Sequence, residues 1–130
     1  MSPLQSLDRN MPILIVDDLS AMRRIVKNCL RKLGFENVVE AENAESALAA
    51  LEINEFKFVI SDWNLEVVKG HEFLNSARQH VKLKDVPFLI VAAEAHKHAA
   101  AQVVENESGV IVKPFTADLL QQKMEAILSR

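Results

Sequence analysis

Three acidic residues in this 130-residue chain stand where apolar runs stop. The stretch ILIVDD ends in Asp17 and Asp18, and FVISDWN places Asp62 directly after another such run. A further run, VIVKPF, ends in Lys113 and Pro114, a bond open to the cis form that is largely confined to proline. If these runs are neighbouring parallel strands, their carboxyl ends lie on one side and the three carboxylates meet the lysine there. Converging acids repel and partly protonate unless a cation joins them. Oxygen ligands without histidine or cysteine suit Mg²⁺, which takes one or two carboxylates, keeps several waters and meets phosphate oxygens. Two metal-binding acids, a third acid as nucleophile or ligand, and a lysine are the groups needed for phosphoryl transfer to a carboxylate, where positioning and charge neutralisation do most of the catalysis. Taken singly, each has a plainer role open to it: an acidic pair before a helix can cap it and face its dipole, and Lys-Pro can be a turn. Asp62 fits such a role least, because an unpaired carboxylate after a buried strand carries a desolvation cost.

The elements that would position these groups alternate. Short β-branched or aromatic runs recur at Ile13 to Val16, Val38 to Glu40, Phe58 to Ser61, Phe88 to Val91 and Val110 to Val112. Segments with helical spacing separate them, which is the pattern of a parallel sheet covered on both faces. In the first, Met22, Ile25, Val26, Cys29, Leu30 and Leu33 recur at three- and four-residue steps, Ser20 is the N-cap candidate, and Gly34 supplies the stop. Further helices are expected around Ala44 to Leu51, Gly70 to Gln79 and Lys97 to Val104, the last stopping near Asn106. A final one runs from Thr116, its cap, to about Leu128, burying Leu119, Leu120, Met124, Ile127 and Leu128.

Composition sets the outer bounds. At 49% hydrophobic, with three glycines and four prolines, the chain has the material for one compact core: residues 12–130 as a single domain behind a tail at 1–11. The apolar runs PILIV, FKFVI and PFLIVAA fall far short of the about 18 residues of a membrane span, and the first residues lack a signal-peptide core. A lone Cys29 in an apolar helix position fits an inert buried thiol in a reducing compartment. These features point to a soluble cytoplasmic protein, and the formal net charge of −3 gives no general attraction to nucleic acid. A hydrolase with an aspartate nucleophile on the first strand would need an Asp-x-Asp pattern, which DDLS does not provide.

LIVDDLSAMRRIVKNCLRKLGFENVVEAENAESAL, FVISDWNL and VIVKPFTADLLQQKM together resemble the receiver domain of two-component response regulators, above all its chemotaxis members, from about Met11 to Leu128. The resemblance implies a flavodoxin-like doubly wound α/β fold with five parallel strands in the order 2-1-3-4-5 and five helices. It makes Asp62 the phosphoacceptor for a histidine kinase or phosphotransfer domain. Asp18, Asp62 and the backbone carbonyl of Asn64 become Mg²⁺ ligands, with Asp17 holding the ion through water, and Lys113 contacts the phosphoryl group. Asn64 and Glu94 match the two positions that tune dephosphorylation. The expectation is a monomeric stand-alone receiver with no output domain after Arg130. It would have no turnover beyond self-phosphorylation from a phosphodonor and autodephosphorylation. The flagellar motor switch and a phosphatase are the further partners that the resemblance suggests, with no nucleic acid and no membrane.

Departures from that pattern gather on the readout side. Where receivers carry a threonine or serine at the end of the fourth strand this chain has Ala92, in LIVAAEAHKH, and where they often carry an aromatic residue on the fifth strand it has Val110. After Asp62, Leu65-Glu66 and Lys69-Gly70 replace the usual Met-Pro and Asp-Gly, losing the proline and reversing a charge. Between Ala92 and Lys113 the chain is one residue shorter than the chemotaxis members, which rotates or trims the fourth helix by about 100° of turn. His96 and His98, two apart, do not share a helix face and are expected in solvent. Arg23, Arg24 and Lys27, with Arg31 and Lys32 beyond, are expected on the exposed face of the first helix, where like charges at four-residue spacing disfavour the isolated helix. An ordinary solvated face competes there with docking to an acidic region of a kinase or phosphotransfer partner.

Overall fold

The protein is described here as a computed structural model covering residues 8–64, 70–79, 84–104 and 109–128. Its strands are β1 (Ile13–Val16), β2 (Val38–Ala41), β3 (Phe58–Asp62), β4 (Phe88–Ala92) and β5 (Val110–Val112). They alternate with α1 (Ser20–Lys32), α2 (Ala44–Ile53), α3 (Gly70–Arg78), α4 (Lys97–Val104) and α5 (Ala117–Leu128). The sheet is parallel throughout, in the order β2-β1-β3-β4-β5.

Alternation along each strand divides the core into two layers. Ile13 and Ile15 of β1, Phe58 and Ile60 of β3, Leu89 and Val91 of β4 and Ile111 of β5 pack with Val26 and Leu30 of α1 and Leu120 and Met124 of α5. Leu14, Val16, Val59, Ile90 and Ala92 point the other way, toward Ala47 and Leu51 of α2, Phe73 and Leu74 of α3, and Ala100 of α4. All residues of β1, β3 and β4 are buried, which is why, Ser61 and Asp62 apart, their sequence reads as apolar runs.

Helix ends explain how the chain enters and leaves the sheet. Leu19, not Ser20, is the N-cap of α1, and it makes no side-chain cap bond; the Leu19 amide instead donates to Asp17 Oδ1 at 2.9 Å. Gly34 closes α1 with φ +95°, its N–H reaching the Arg31 carbonyl while the Phe35 N–H reaches that of Leu30, a Schellman stop. Asn43 and Ser46 form a reciprocal capping box at α2, and Thr116 Oγ1 accepts the Leu119 N–H at α5. A single 3₁₀ turn, Glu94–His96, leads into α4.

Residues 8–11, assigned to a tail by sequence, lie on the domain: Met11 is buried, Arg9 stacks over the Phe35 ring at 4.8 Å, and Asn37 donates to the Asn10 carbonyl. The expected helix stop at Asn106 and the altered positions Leu65, Glu66 and Lys69 fall outside the described residues. Among the described residues no helix is long and apolar enough to cross a membrane.

A side chain at position 34 would be held in the left-handed region, where a Cβ costs about 1–2 kcal/mol. Gly34→Ala is therefore expected to lower the unfolding free energy by about that amount, measured by urea titration. An unchanged midpoint would show that the α1 stop can relax into another conformation.

Candidate functional site

Sheet register brings the acids together. Val16 of β1 pairs with Ser61 of β3, so the next residue on each strand is an aspartate, Asp17 beside Asp62. Asp17 N–H is fixed by the Ala41 carbonyl of β2, and Trp63 N–H by the Val91 carbonyl of β4, which anchors both strand exits. Ser61 Oγ, fully buried, donates to the Asp62 carbonyl at 3.3 Å. Asp17 and Asp62 are almost wholly buried and Asp18 is half-buried, and the three offer carboxylate oxygens within 4.8 Å of one another.

Lys113 completes the group. Its backbone N–H donates to the Ala92 carbonyl, and the Lys113-Pro114 bond is cis. The ammonium lies 3.4 Å from Asp62 Oδ1. Burial pushes the Asp17 carboxyl up from 3.8 to about 6, with Asp62 adding to the rise while the Leu19 amide and Lys113 oppose it. Three carboxylates against one ammonium leave two formal negative charges, so a divalent cation fits both the charge and the hard oxygen donor set. Asp17, Asp18 and Asp62 would hold it.

The other sequence candidates are distributed as follows. Asn64 is exposed two residues past Asp62. Glu94, at the start of the 3₁₀ turn, is exposed and pairs with Lys97 at 3.3 Å. Ala92 and Val110 are both buried, in the layer beneath α4. His96 and His98 are exposed. Arg24 lies exposed on α1, but Arg23 differs from the expected solvated docking charge: its side chain is only 17% exposed and bonds to Glu40 and to the Asp17 carbonyl. Lys27 reaches the same Glu40 carboxylate at 3.6 Å. The like charges on that face are thus compensated by a β2 residue that helical spacing alone does not bring into view.

A doubly wound parallel sheet with acids at the ends of β1 and β3 and a lysine after β5 defines the class: an α/β domain with an acidic site at the carboxyl edge of its sheet. Residues 13–125 match the family model described as the response regulator receiver domain, and the chain belongs to that family. It is 45% identical over 125 residues to the chemotaxis protein CheY-3 of Vibrio cholerae serotype O1, covering 95% of this chain and 96% of that one. It is 44% identical to the chemotaxis protein CheY of Pseudomonas aeruginosa, covering 92% and 98%. Among solved structures, the chemotaxis response regulator CheY4 of Vibrio cholerae superimposes with a TM-score of 0.79 at 30% identity, over 91% of this chain and 98% of the other.

A carboxyl whose folded value is raised costs stability when it ionises: nothing below about pH 4, increasingly as pH rises, and fully above about pH 6. In EDTA, the urea midpoint of the wild type relative to Asp17→Asn is expected to fall across that range, since the asparagine keeps an acceptor for Leu19 but carries no charge. A difference that stays constant with pH would remove Asp17 as a strained acid.

Proposed function

We propose that this chain is a chemotaxis-type phosphoacceptor in which Asp62 takes a phosphoryl group from a histidine kinase or phosphotransfer domain. One observation carries the reading: buried Asp17 and Asp62, half-buried Asp18 and the Lys113 ammonium 3.4 Å from Asp62 Oδ1 converge at one edge of the sheet. In the transfer, an Asp62 carboxylate oxygen attacks phosphorus as the bond to the donor nitrogen opens, leaving an acyl phosphate. Lys113 stands where the phosphoryl oxygens gather. Asp17 and Asp18, with Asp62 and the Asn64 carbonyl, would hold Mg²⁺, which when bound neutralises charge on the transferring group. The chain turns over no other substrate; it phosphorylates itself from a donor and hydrolyses its own acyl phosphate, at a rate tuned by Asn64 and Glu94.

A second reading, a phosphate sink that drains a shared kinase, is favoured by the buried Ala92 and Val110. A hydrogen bond to a charged group contributes about 1.5–3 kcal/mol and allosteric couplings about 1–3 kcal/mol, so a missing hydroxyl at position 92 removes much of the bias a phosphoryl group could exert. The face that would feel it carries a groove of about 290 Å³ between α4, β5 and α5, floored by Ala101, Val110, Val112 and Leu119 and edged by Lys97 and Lys123. Val110 offers no aromatic ring to open or close that groove. If the acids were only inherited, the protein would bind partners without regard to phosphorylation.

Trp63, half-buried beside the acceptor, reports on the site. Adding Mg²⁺ and then beryllofluoride, a phosphoryl mimic, should change its fluorescence in two steps, and Asp62→Asn should abolish the second. An unresponsive Trp63 together with no acyl phosphate at Asp62 would sink the phosphoacceptor reading. Restoring the hydroxyl with Ala92→Thr should raise the ratio of partner affinities with and without beryllofluoride, using a flagellar switch segment as probe, by about tenfold. The same ratio in both proteins would overturn the account of the missing switch.

A further inference from the structure

Arg23 sits in the first turn of α1, its N–H donating to the Leu19 carbonyl at 3.1 Å. Cations are disfavoured at a helix N-terminus, and α1 has no acidic residue in that turn to offset one. The guanidinium instead leaves the helix. Nη1 donates to the Asp17 carbonyl at 2.6 Å and Nε to Glu40 Oε1 at 3.2 Å, with the side chain only 17% exposed. Glu40, in β2, is shared with Lys27, so one carboxylate steers the Arg23 fork.

The bonded carbonyl belongs to the peptide that joins Asp17 to Asp18, and the plane of that peptide sets the direction in which both side chains leave the backbone. Arg23 holds that peptide directly through the Asp17 carbonyl, while residue 17 is fixed on either side of it, its N–H donating to the Ala41 carbonyl and its Oδ1 accepting from the Leu19 amide. Because its charge is directed to Glu40, Arg23 reaches the turn through a carbonyl and leaves the site carboxylates to a cation. Mg²⁺ demands near-octahedral geometry at short oxygen distances, so small rotations of this peptide translate into affinity.

We infer that Arg23 is a positioning residue for the cation site, clamping the Asp17–Asp18 peptide, with Glu40 orienting the clamp. The inference rests on reading the acidic cluster as a Mg²⁺ site. Partners that orient metal ligands typically change affinity by about 10–100-fold when removed.

The test is a Mg²⁺ titration of the purified protein by calorimetry and by Trp63 fluorescence. Arg23→Ala should raise the dissociation constant about tenfold and Glu40→Gln should raise it less. Arg23→Lys, a point charge that can make one of the two contacts, should recover part of the loss. Lys57→Ala, which removes the same charge at the far end of β3, should leave affinity unchanged. At saturating Mg²⁺ the rate at which acetyl phosphate modifies Asp62 should return to the wild-type value in Arg23→Ala, a split between affinity and rate that general loosening of the fold does not produce. Should Arg23→Ala fail to fold, Glu40→Gln decides the question by the same two readouts. Wild-type affinity in the folded variants, or a rate that stays depressed at saturating Mg²⁺, overturns the clamp while leaving the site reading intact. Absence of Mg²⁺ binding in the wild type overturns that reading and the clamp with it.

Discussion

Three ionised carboxylates held with oxygens within 4.8 Å repel one another by about 3.5 kcal/mol per pair at an effective dielectric of 20, and two of them are nearly sealed from water. Nothing in local sequence preference favours that arrangement. It persists because the parallel register of β1 against β3 leaves Asp17 and Asp62 no other position once their strands are buried. Burial above all, with the neighbouring Asp62 charge added, leaves the Asp17 carboxyl raised. Lys113 and the Leu19 amide answer part of the negative charge, and the unanswered charge is what a divalent ion would neutralise.

The rest of the domain can be understood as support for that edge. Two apolar layers hold the sheet rigid, so the strand exits cannot spread to relieve the repulsion. Helix α1, which a positive charge in its first turn would destabilise, is tied back through Arg23 to the peptide between two of the acids. Glu40 then neutralises Arg23 and Lys27 together. The basic character of α1 therefore divides: Arg23 serves the β1–α1 junction and Lys27 pairs with Glu40 of β2, while Arg24, Arg31 and Lys32 face solvent.

Much of this could be read from the chain itself, for identifiable reasons. The strands were visible because they are buried on both faces and so continuously apolar, and Thr116 and Gly34 were visible because caps and stops have chemical requirements. Structure extended β2, β3 and β4 by a residue each, to Ala41, Asp62 and Ala92, since a ladder can continue through residues whose side chains do not look like strand. The convergence of Asp17, Asp18, Asp62 and Lys113 followed from strand-end placement once the strands were taken as neighbours in one parallel sheet, the order that the family resemblance implied. The Arg23–Glu40 pair did not, because it joins residues 17 apart across two elements, and periodicity within one helix is silent about what the neighbouring strand presents. For the same reason Ser20 looked like the cap of α1 when Asp17, three residues earlier, receives the amide of Leu19.

Between Asp62 and the groove, positions 92 and 110 carry apolar side chains. In the Ala92 and Val110 layer the neighbours are Ala100 and other apolar groups, so no polar side chain at either position can sense charge at Asp62. What does span the distance is Lys113: its ammonium meets Asp62 and its amide is bonded to the Ala92 carbonyl. It directly follows Val112, which with Val110 lines the groove. Among the described residues, Lys113 and the backbone of β5 form a direct route by which charge at Asp62 would reach that groove. A side-chain relay has two packed positions and can switch between them, whereas a hydrogen-bonded strand in a sheet yields only by small displacements. A displacement of Lys113 would therefore reach the groove as a small shift of β5 and not as an exchange of packed side-chain positions.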